Sequence, residues 1–486
     1  MKTLVMKFGG TSTGNVVALN RAADIVVVQQ GQWDRLVVVV SAMEGVTDML
    51  IECAERSLAE DKGHYQVIID ELRIKLNAVV WAVFAGDQSY EQLNGLIVKR
   101  IQELTEICQR IQLQGRSNPR DMDEIAAMGE RINVHIFSAL LNQRGVHSQA
   151  IDSANLIVTD DCYQAASPIE SATDALINAI LSPLFAKFII PVVTGFIGAT
   201  PNGTTTTLGR GGSDYTAAIL GKSLKADEVW IWTDVDGIMT ADPGLTPRAR
   251  LIPDISYNEV YQLAYSGAKV MHPKTILLAR EGDIPLWVKN TFNSECNGTR
   301  ISHCSLSDRY TISAVTGLFD INLITFRTIP GGDVNKIKAL ILAALKNRGT
   351  TTLAVFQAKH DRSVSFAFSA NNSNHVIQTI REDGALRSLG WNFSQPQVVE
   401  NVALITLVGR EIYLTPQVLS LATSTLNKAG IDIKRIGNGT SPDSLVFAVA
   451  NKDGEHAIKQ IHDEVILNGA LISPIIQPVM NHLSAT

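Results

Sequence analysis

Residues 3–23 read TLVMKFGGTSTGNVVALNRAA. The run Thr3 to Phe8 is a short apolar strand. It enters Gly9-Gly10, and then Val16, Leu19, Ala23 and Val26 recur at helical spacing. A strand, a glycine turn and a helix in that order start an α/β layer, and the pattern continues. Leu36 to Val40 is an unbroken, mostly β-branched run of the kind buried on both faces of a sheet. Ile101, Leu104, Cys108 and Ile111 mark one amphipathic helix; Ile125, Met128, Ile132 and Ile136 mark another that stops at Gly145. Ile189 to Thr194 and Glu228 to Thr233 read as further core strands, and Ser256 with Glu259 as a capping box. Alternation of this kind up to about residue 300 predicts a mostly parallel sheet covered by helices.

After about residue 310 a repeat appears. Leu323-Ile324-Thr325 recurs 81 residues on as Leu404-Ile405-Thr406. The same shift carries Gly349 to Gly430, and Val364-Ser365-Phe366-Ala367 to Leu445-Val446-Phe447-Ala448. Each copy reads strand, helix, strand, strand, helix, strand. A gapless shift through so many elements predicts two copies of one βαββαβ unit.

The 486 residues, 45% apolar and 19% charged, suit a globular protein of roughly three domains. A net charge of −6 carries no nucleic-acid footprint, so an anionic ligand must meet local positive charge. No apolar run approaches membrane-spanning length, and MKTLVMKFGG lacks a signal h-region. Cys53, Cys108, Cys162, Cys296 and Cys304 form no CxxC pair, which predicts scattered reduced thiols in a cytoplasmic protein.

Two loops carry the chemistry. In TTTTLGRGGSDYTA, residues 204–217, Gly209, Gly211 and Gly212 let the backbone approach a ligand. Ser213 is a candidate N-cap for the helix that follows, and Arg210 offers a fork for a carboxylate or phosphate. Asp214 could hold a metal ion or orient a lysine. Lys7, leaving the first strand just before Gly9-Gly10-Thr11-Ser12, makes a phosphate cradle that differs from the P-loop, where the lysine follows the glycines. Thr47, Thr233-Asp234 and Gly267-Ala268-Lys269 fall at element ends, where ligands of open α/β sheets bind. His272, before Pro273, reads as packing, and Met271 and Trp287 as core or groove residues.

With KFGGTS at 7–12, SAMEGVTD at 41–48, MGER at 128–131, TTLGRGGSDYTA at 206–217, WTDVDGI at 232–238 and GAKVMHP at 267–273, the chain resembles the aspartate kinases over nearly its whole length. The terminal repeats resemble their paired ACT domains. The resemblance implies a three-layer amino-acid-kinase domain over residues 1–305, then two ferredoxin-like ACT domains over 306–396 and 397–486. It implies that ATP, with Mg²⁺ carried on its phosphates, phosphorylates the side-chain carboxylate of L-aspartate, the first step toward lysine, threonine and methionine. Lys7, Asp214 and Lys269 would be catalytic. Lys7, Phe8, Gly9, Gly10, Thr233, Asp234, Lys269 and Val270 would bind nucleotide. Ser41, Thr47, Glu130, Arg210, Gly211, Gly212 and Ser213 would bind aspartate, with Glu130 on its ammonium. The nucleophile, a carboxylate with a pKa near ~3.9, needs no general base.

Where the family usually reads IYTADPR, this chain has Ile238-Met239-Thr240-Ala241-Asp242-Pro243-Gly244; the missing tyrosine and arginine predict altered nucleotide contacts. An effector, lysine or threonine, is expected near 330–334 or its counterpart 415–418, and a homodimer is expected through the ACT domains. No homoserine dehydrogenase domain is expected. Two other readings are a kinase for glutamate or acetylglutamate, and an amino-acid sensor that binds nucleotide without turnover.

Overall fold

All six residues of Thr3–Phe8, the first strand (β1), are buried. This computed structural model describes residues 1–58, 64–303, 312–327, 333–358, 363–388, 396–439 and 441–468. Cys304 and residues 330–332 of the expected effector region lie outside them. After β1 come α1 (Val16–Gln30), β2 (Arg35–Val40), α2 (Val46–Ser57), α3 (His64–Phe84), α4 (Ser89–Gln114), α5 (Pro119–Ala126), α6 (Met128–Gln143), β3 (Ser148–Ile151), α7 (Glu170–Ala186) and β4 (Ile190–Thr194). The hairpin β5 (Ile197–Ala199) and β6 (Thr205–Thr207) follows. Then come α8 (Gly212–Leu224), β7 (Glu228–Thr233), β8 (Asp254–Ser256), α9 (Tyr257–Tyr265), α10 (Pro273–Glu281), β9 (Leu286–Asn290) and β10 (Thr299–Ser302).

The described residues form two units. One comes from Met1–Ile238, Pro253–Tyr257 and Met271–Cys304, the other from Met239–Ile252, Asn258–Val270 and Ser305–Thr486. In the first, eight strands run in the order β3-β4-β2-β1-β7-β9-β10-β8. All neighbours are parallel except β9 and β10, so the sheet is mainly parallel as the alternation predicts. One face, with Leu4, Met6, Phe8, Val38 and Val40, packs under α1, α3, α4 and α6. Helix α8 covers β1 from the other side and packs on α7 and α10. With two faces buried, β2 can be apolar at every position from Leu36 to Val40.

Sequence and structure differ in detail here. The apolar spacing from Ile125 to Ile136 spans two helices, because the chain breaks at Ala127 between α5 and α6. Ser213 is not the N-cap of α8: the helix starts one residue earlier, at Gly212, capped by Gly211 at φ 70°, and Ser213 lies inside the first turn. Ser256 directly precedes α9, the position a capping box requires, and Glu259 in the first turn also accepts the hydroxyl of Ser313.

The second unit holds β11 (Ala314–Arg327), α11 (Val334–Asn347), β12 (Ala354–Ala358), β13 (Ser363–Ser369), α12 (Ser373–Glu382), α13 (Gly384–Ser388), β14 (Gln397–Val408), α14 (Pro416–Lys428), β15 (Arg435–Asn438), β16 (Ser444–Ala450) and α15 (Gly454–Ile461). The 81-residue shift carries β13 onto β16 and α11 onto α14. Both copies build one antiparallel sheet, β12-β13-β11-β14-β16-β15. The central strands are shared. Ala314–Leu318, ahead of the first copy, pairs with Leu404–Val408 of the second; Gln397–Val399, ahead of the second, pairs with Leu323–Thr325 of the first. Each copy thus lends its lead-in to the other as an edge strand. The sixth element expected for the second copy lies outside the described residues.

Each lead-in turns into its own strand through a left-handed residue, Asp320 (φ 55°) and Asn401 (φ 56°), again 81 apart. The outer strands β12 and β15 approach each other, with Gly437 against the Phe356 ring. The enclosed face carries Ile321, Leu323, Phe356, Leu404 and Val446. The outer face buries Phe366 and Phe368 near α11 and α12, and Phe447 near α14 and α15.

Two segments from earlier in the chain are built onto this unit. Thr240 C=O accepts the N–H of Val315 at 2.9 Å, and its hydroxyl meets His462 Nε2 at 2.9 Å. Arg248 pairs with Asp463 at 3.3 Å. In the other segment, Gln262 Oε1 accepts from Ser444 Oγ at 3.2 Å, Tyr265 OH donates to Thr352 C=O, and Gly267 lies against Leu318.

A left-handed backbone costs a β-branched residue about 1–2 kcal/mol and costs glycine nothing. Asn401→Val should therefore lower unfolding stability by about that much, while Asn401→Gly should match or exceed the parent. Urea unfolding of both variants checks it; an equal loss in the two would mean that the Asn401 side chain, not its φ, matters.

Candidate active site

At the carboxyl end of β1, Lys7 Nζ lies 2.6 Å from Asp214 Oδ1 at the start of α8, and both side chains are largely buried. This ion pair ties the first strand to the glycine loop. The pair opens into a cavity of about 710 Å³ in the first unit. Around it stand Gly10, Ser41, Thr47, Glu130, Arg210, Gly211, Gly212 and Ser213, so both glycine loops face the same space.

Local backbone chemistry explains the convergence. The N–H of Ser41 donates to Phe8 C=O at 3.1 Å and that of Glu44 to Gly10 C=O at 3.2 Å, lashing the loop after β2 to the loop after β1. Asn133 of α6 donates to Ser41 C=O at 2.6 Å and to Thr13 Oγ1 at 3.0 Å. A Cβ on Gly129 would stand 2.6 Å from Ala42 Cβ, so only glycine lets α6 come this close. That approach brings Glu130 within reach of the Ala42 N–H. Gly211 has φ 70°, and a Cβ there would stand 2.5 Å from His272 Cβ. His272 itself caps α10 by accepting the Lys274 N–H at Nδ1, as a packing residue should.

Glu130 is the most perturbed carboxyl here. Burial raises its pKa from 4.5 to about 7, against the opposing pull of the Ala42 N–H, its own backbone N–H and the charge on Lys7. Its Oε2 is buried with no hydrogen-bond partner. A donor that reached this oxygen would remove the cost of a buried unsatisfied acceptor. Arg210, in contrast, is exposed and makes no ion pair among the described residues.

The remaining predicted residues sit differently. Phe8 gives its ring to the core, stacked on Trp232 and near Phe137, which leaves only its backbone for a ligand. A Cβ on Gly9 would lie 3.5 Å from Lys7 Nζ. Thr233 and Asp234 end β7, parallel to β1, and their side chains bond to each other at 3.0 Å. Lys269 and Val270 belong to the second unit, Lys269 exposed.

Asp123 and Gln164 also line the cavity, and sequence reasoning missed both. The buried Asp123 carboxylate accepts Thr207 Oγ1 at 2.7 Å and the N–H groups of Thr207 (3.1 Å) and Gln164 (3.0 Å), clamping β6 to a left-handed Gln164 at φ 68°. Nothing in its spacing distinguishes it from Asp121 and Glu124 on the same helix. With Glu44, Asp48, Glu55, Glu130 and Asp214, six carboxyls face Lys7 and Arg210. A lining of that sign would repel a bare polyphosphate and suits one that carries a divalent cation. Among the described residues no group of three His, Cys, Asp or Glu side chains could hold a metal by itself.

The family model described as the amino acid kinase family matches residues 2–290, and one described as the ACT domain matches 405–465. The chain is 29% identical over 471 residues to the bifunctional aspartokinase/homoserine dehydrogenase 2, chloroplastic, of Arabidopsis thaliana, covering 96% of this chain and 51% of that one. It spans about half the length of the first curated relatives it matches. Of solved structures, E. coli aspartokinase III in complex with aspartate and ADP (R-state) superposes with a TM-score of 0.80 at 27% identity, over 96% of this chain and all of that one. The same enzyme with lysine and aspartate (T-state) gives a TM-score of 0.73 at 27% identity, over 95% and 99%.

The raised pKa of Glu130 has a sign that stability can read. Between pH 4.5 and about 7 the folded protein holds a proton there that the unfolded chain releases. The stabilisation is complete below the unfolded value and is lost as pH rises through about 7. Glu130→Gln should therefore gain thermal stability over the parent above neutrality, with the advantage vanishing in acid. Melting curves at about pH 5 and about pH 8 check this; an equal difference at both would place an ionised carboxylate in the folded state.

Proposed function

The chain belongs to the amino acid kinase family, and from that premise we propose that it transfers the γ-phosphoryl group of ATP to the side-chain carboxylate of L-aspartate. The product is 4-phospho-L-aspartate, an entry to lysine, threonine and methionine. The observation that carries this reading is the pairing of Glu130, with its buried unpartnered oxygen, and exposed Arg210 around the same cavity as Lys7. One end fits an ammonium and the other a carboxylate, as an amino-acid zwitterion requires. E. coli aspartokinase III binds aspartate and ADP, and we carry both ligands over.

The aspartate carboxylate oxygen forms the new bond to phosphorus as the bond to the bridging oxygen of ADP breaks, and no proton needs to move. Lys7, held by Asp214, places its charge at the end of β1 beside Gly9 and Gly10, where it offsets the charge on the transferring group. Mg²⁺ bound to the nucleotide phosphates supplies further charge neutralisation. Thr47, Ser41 and Ser213 line the substrate end. Thr233, Asp234, Lys269 and Val270 are carried over as nucleotide-binding residues on the motifs that resemble the family's. Acetylglutamate, which has no ammonium for Glu130, is disfavoured as an acceptor by the lining, and glutamate by the paired repeats; intact Lys7, Asp214 and Lys269 argue against a sensor without turnover.

We place the kinase domain at 1–305 and the ACT domains at 306–396 and 397–486. Lysine, which E. coli aspartokinase III binds in its T-state, is the first effector to test, and threonine the second. The segments carrying Met239, Gly244 and Lys269 belong to the same unit as the proposed ACT domains. We assign the protein to the cytoplasm; no helix among the described residues is long and apolar enough to cross a membrane.

Trapping the acyl phosphate with hydroxylamine tests the reaction. Aspartate should give hydroxamate and glutamate should not. Lys7→Ala should cut kcat by about 10²–10³ with little change in the aspartate KM. Glu130→Gln should raise that KM about tenfold or more. Near-normal turnover in Lys7→Ala refutes the assignment. For assembly, light scattering on a sizing column should give the mass of two chains or more, and a stable monomer would remove the proposed ACT-mediated dimer.

A further inference from the structure

Four of the six tryptophans lie together, away from the transfer cavity. Trp230 and Trp232 of β7 and Trp287 of β9 share a sheet face with Met6 and Phe8: the register sets Met6 beside Trp230 and Trp230 beside Trp287. Phe8 and Met6 are sealed in the helix-covered core, whereas Trp230 and Trp287 stay half-buried. Trp33 meets Trp230 edge-on at 6.0 Å. The result is a groove beside α1, in two connecting hollows of about 410 and 370 Å³ that share Gln29, Trp230 and Lys289. This is the size range of a small-molecule site.

Lys289 stands at the centre. Its Nζ lies 5.0 Å from the Trp230 and Trp287 rings and 5.7 Å from the Trp232 ring, and donates to Asn297 C=O at 2.7 Å. At the same hollow Arg21 donates to Phe292 C=O at 2.8 Å. Neither cation has an ion pair among the described residues. Two acids stand at the groove: exposed Asp24, whose Oδ1 accepts from Arg144, and Glu228, which accepts from Trp230 Nε1 at 2.5 Å. Burial pulls the Lys289 ammonium below the usual lysine range, with Glu228 opposing. Lys289 over the indole floor and Arg21 over the neighbouring Phe292 ring, neither in an ion pair among the described residues, suit an anion, and the floor suits a flat ring.

We propose that this groove is a second ligand site, taking a small aromatic molecule that bears a carboxylate. The ring lies on the indoles, and Lys289 and Arg21 hold the acid group. No bond is made or broken, and the site is independent of the transfer reaction proposed above. An aromatic amino acid and a simple aromatic acid share this chemistry; Asp24, on the same wall, separates them by whether it receives an ammonium.

Titration of the full chain with indole-3-acetate, phenylacetate and L-phenylalanine tests the site, with acetate as the ring-free control. Tryptophan fluorescence and calorimetry report it directly. At least one aromatic acid should bind saturably where acetate does not. Tighter binding of L-phenylalanine than of phenylacetate identifies an amino acid; the reverse identifies a simple acid. Lys289→Met and the exposed Arg21→Ala should each weaken binding about tenfold while kcat for phosphoryl transfer stays unchanged, and Lys289→Arg should restore it. Arg21→Ala, on the surface of α1, keeps the test open if Lys289→Met does not fold. Absence of saturable binding by all three aromatic acids, or binding undiminished in the soluble variants, overturns the proposal.

Discussion

The ion pair between Lys7 and Asp214 is the contact on which the arrangement of the first unit turns. A lysine at the end of a fully buried strand needs a charge partner, and Lys7 finds Asp214 at the start of the helix that covers that strand. Meeting Asp214 fixes the glycine loop over the end of β1. The loop in turn brings Arg210 to the same cavity that Glu130 enters from α6. A buried pair of this kind adds little to stability by itself. Its value is geometric, because it holds a positive charge still without neutralising the space in front of it.

Much of this could be read from the residues. Strand–helix alternation and the uninterrupted apolar β2 gave a parallel sheet, and two glycine loops in one such sheet gave a shared anion site. The parts that escaped share a cause: they depend on partners far away in the chain. Asp123 looks like any acid on a polar helix face until Thr207 and Gln164 are folded against it. Ser213 has the chemistry of a cap, but the approach of His272 lets Gly211 take that place. The break at Ala127 is silent because apolar spacing continues across it. Trp287 could be read as a groove residue, yet the groove itself required β7 and β9 to lie side by side.

Electrostatics divides the first unit into two different surfaces. The transfer cavity is rich in carboxyls, with burial raising the pKa of Asp123 and Glu130, and it suits ligands that bring their own positive charge. The tryptophan groove is the opposite, with cations left unmatched above aromatic rings. One sheet supports both because its strand ends and its face present different backbone and side-chain chemistry.

The exchange of lead-in strands between the two repeats has a consequence for how such a chain can evolve. A duplicated module is ordinarily free to be lost, moved or replaced. Here either half, cut loose, would expose the flank of its central strand to water and to other chains. Separating the copies would therefore leave both with an unpaired strand flank, so each depends on its neighbour's shape as well as its own.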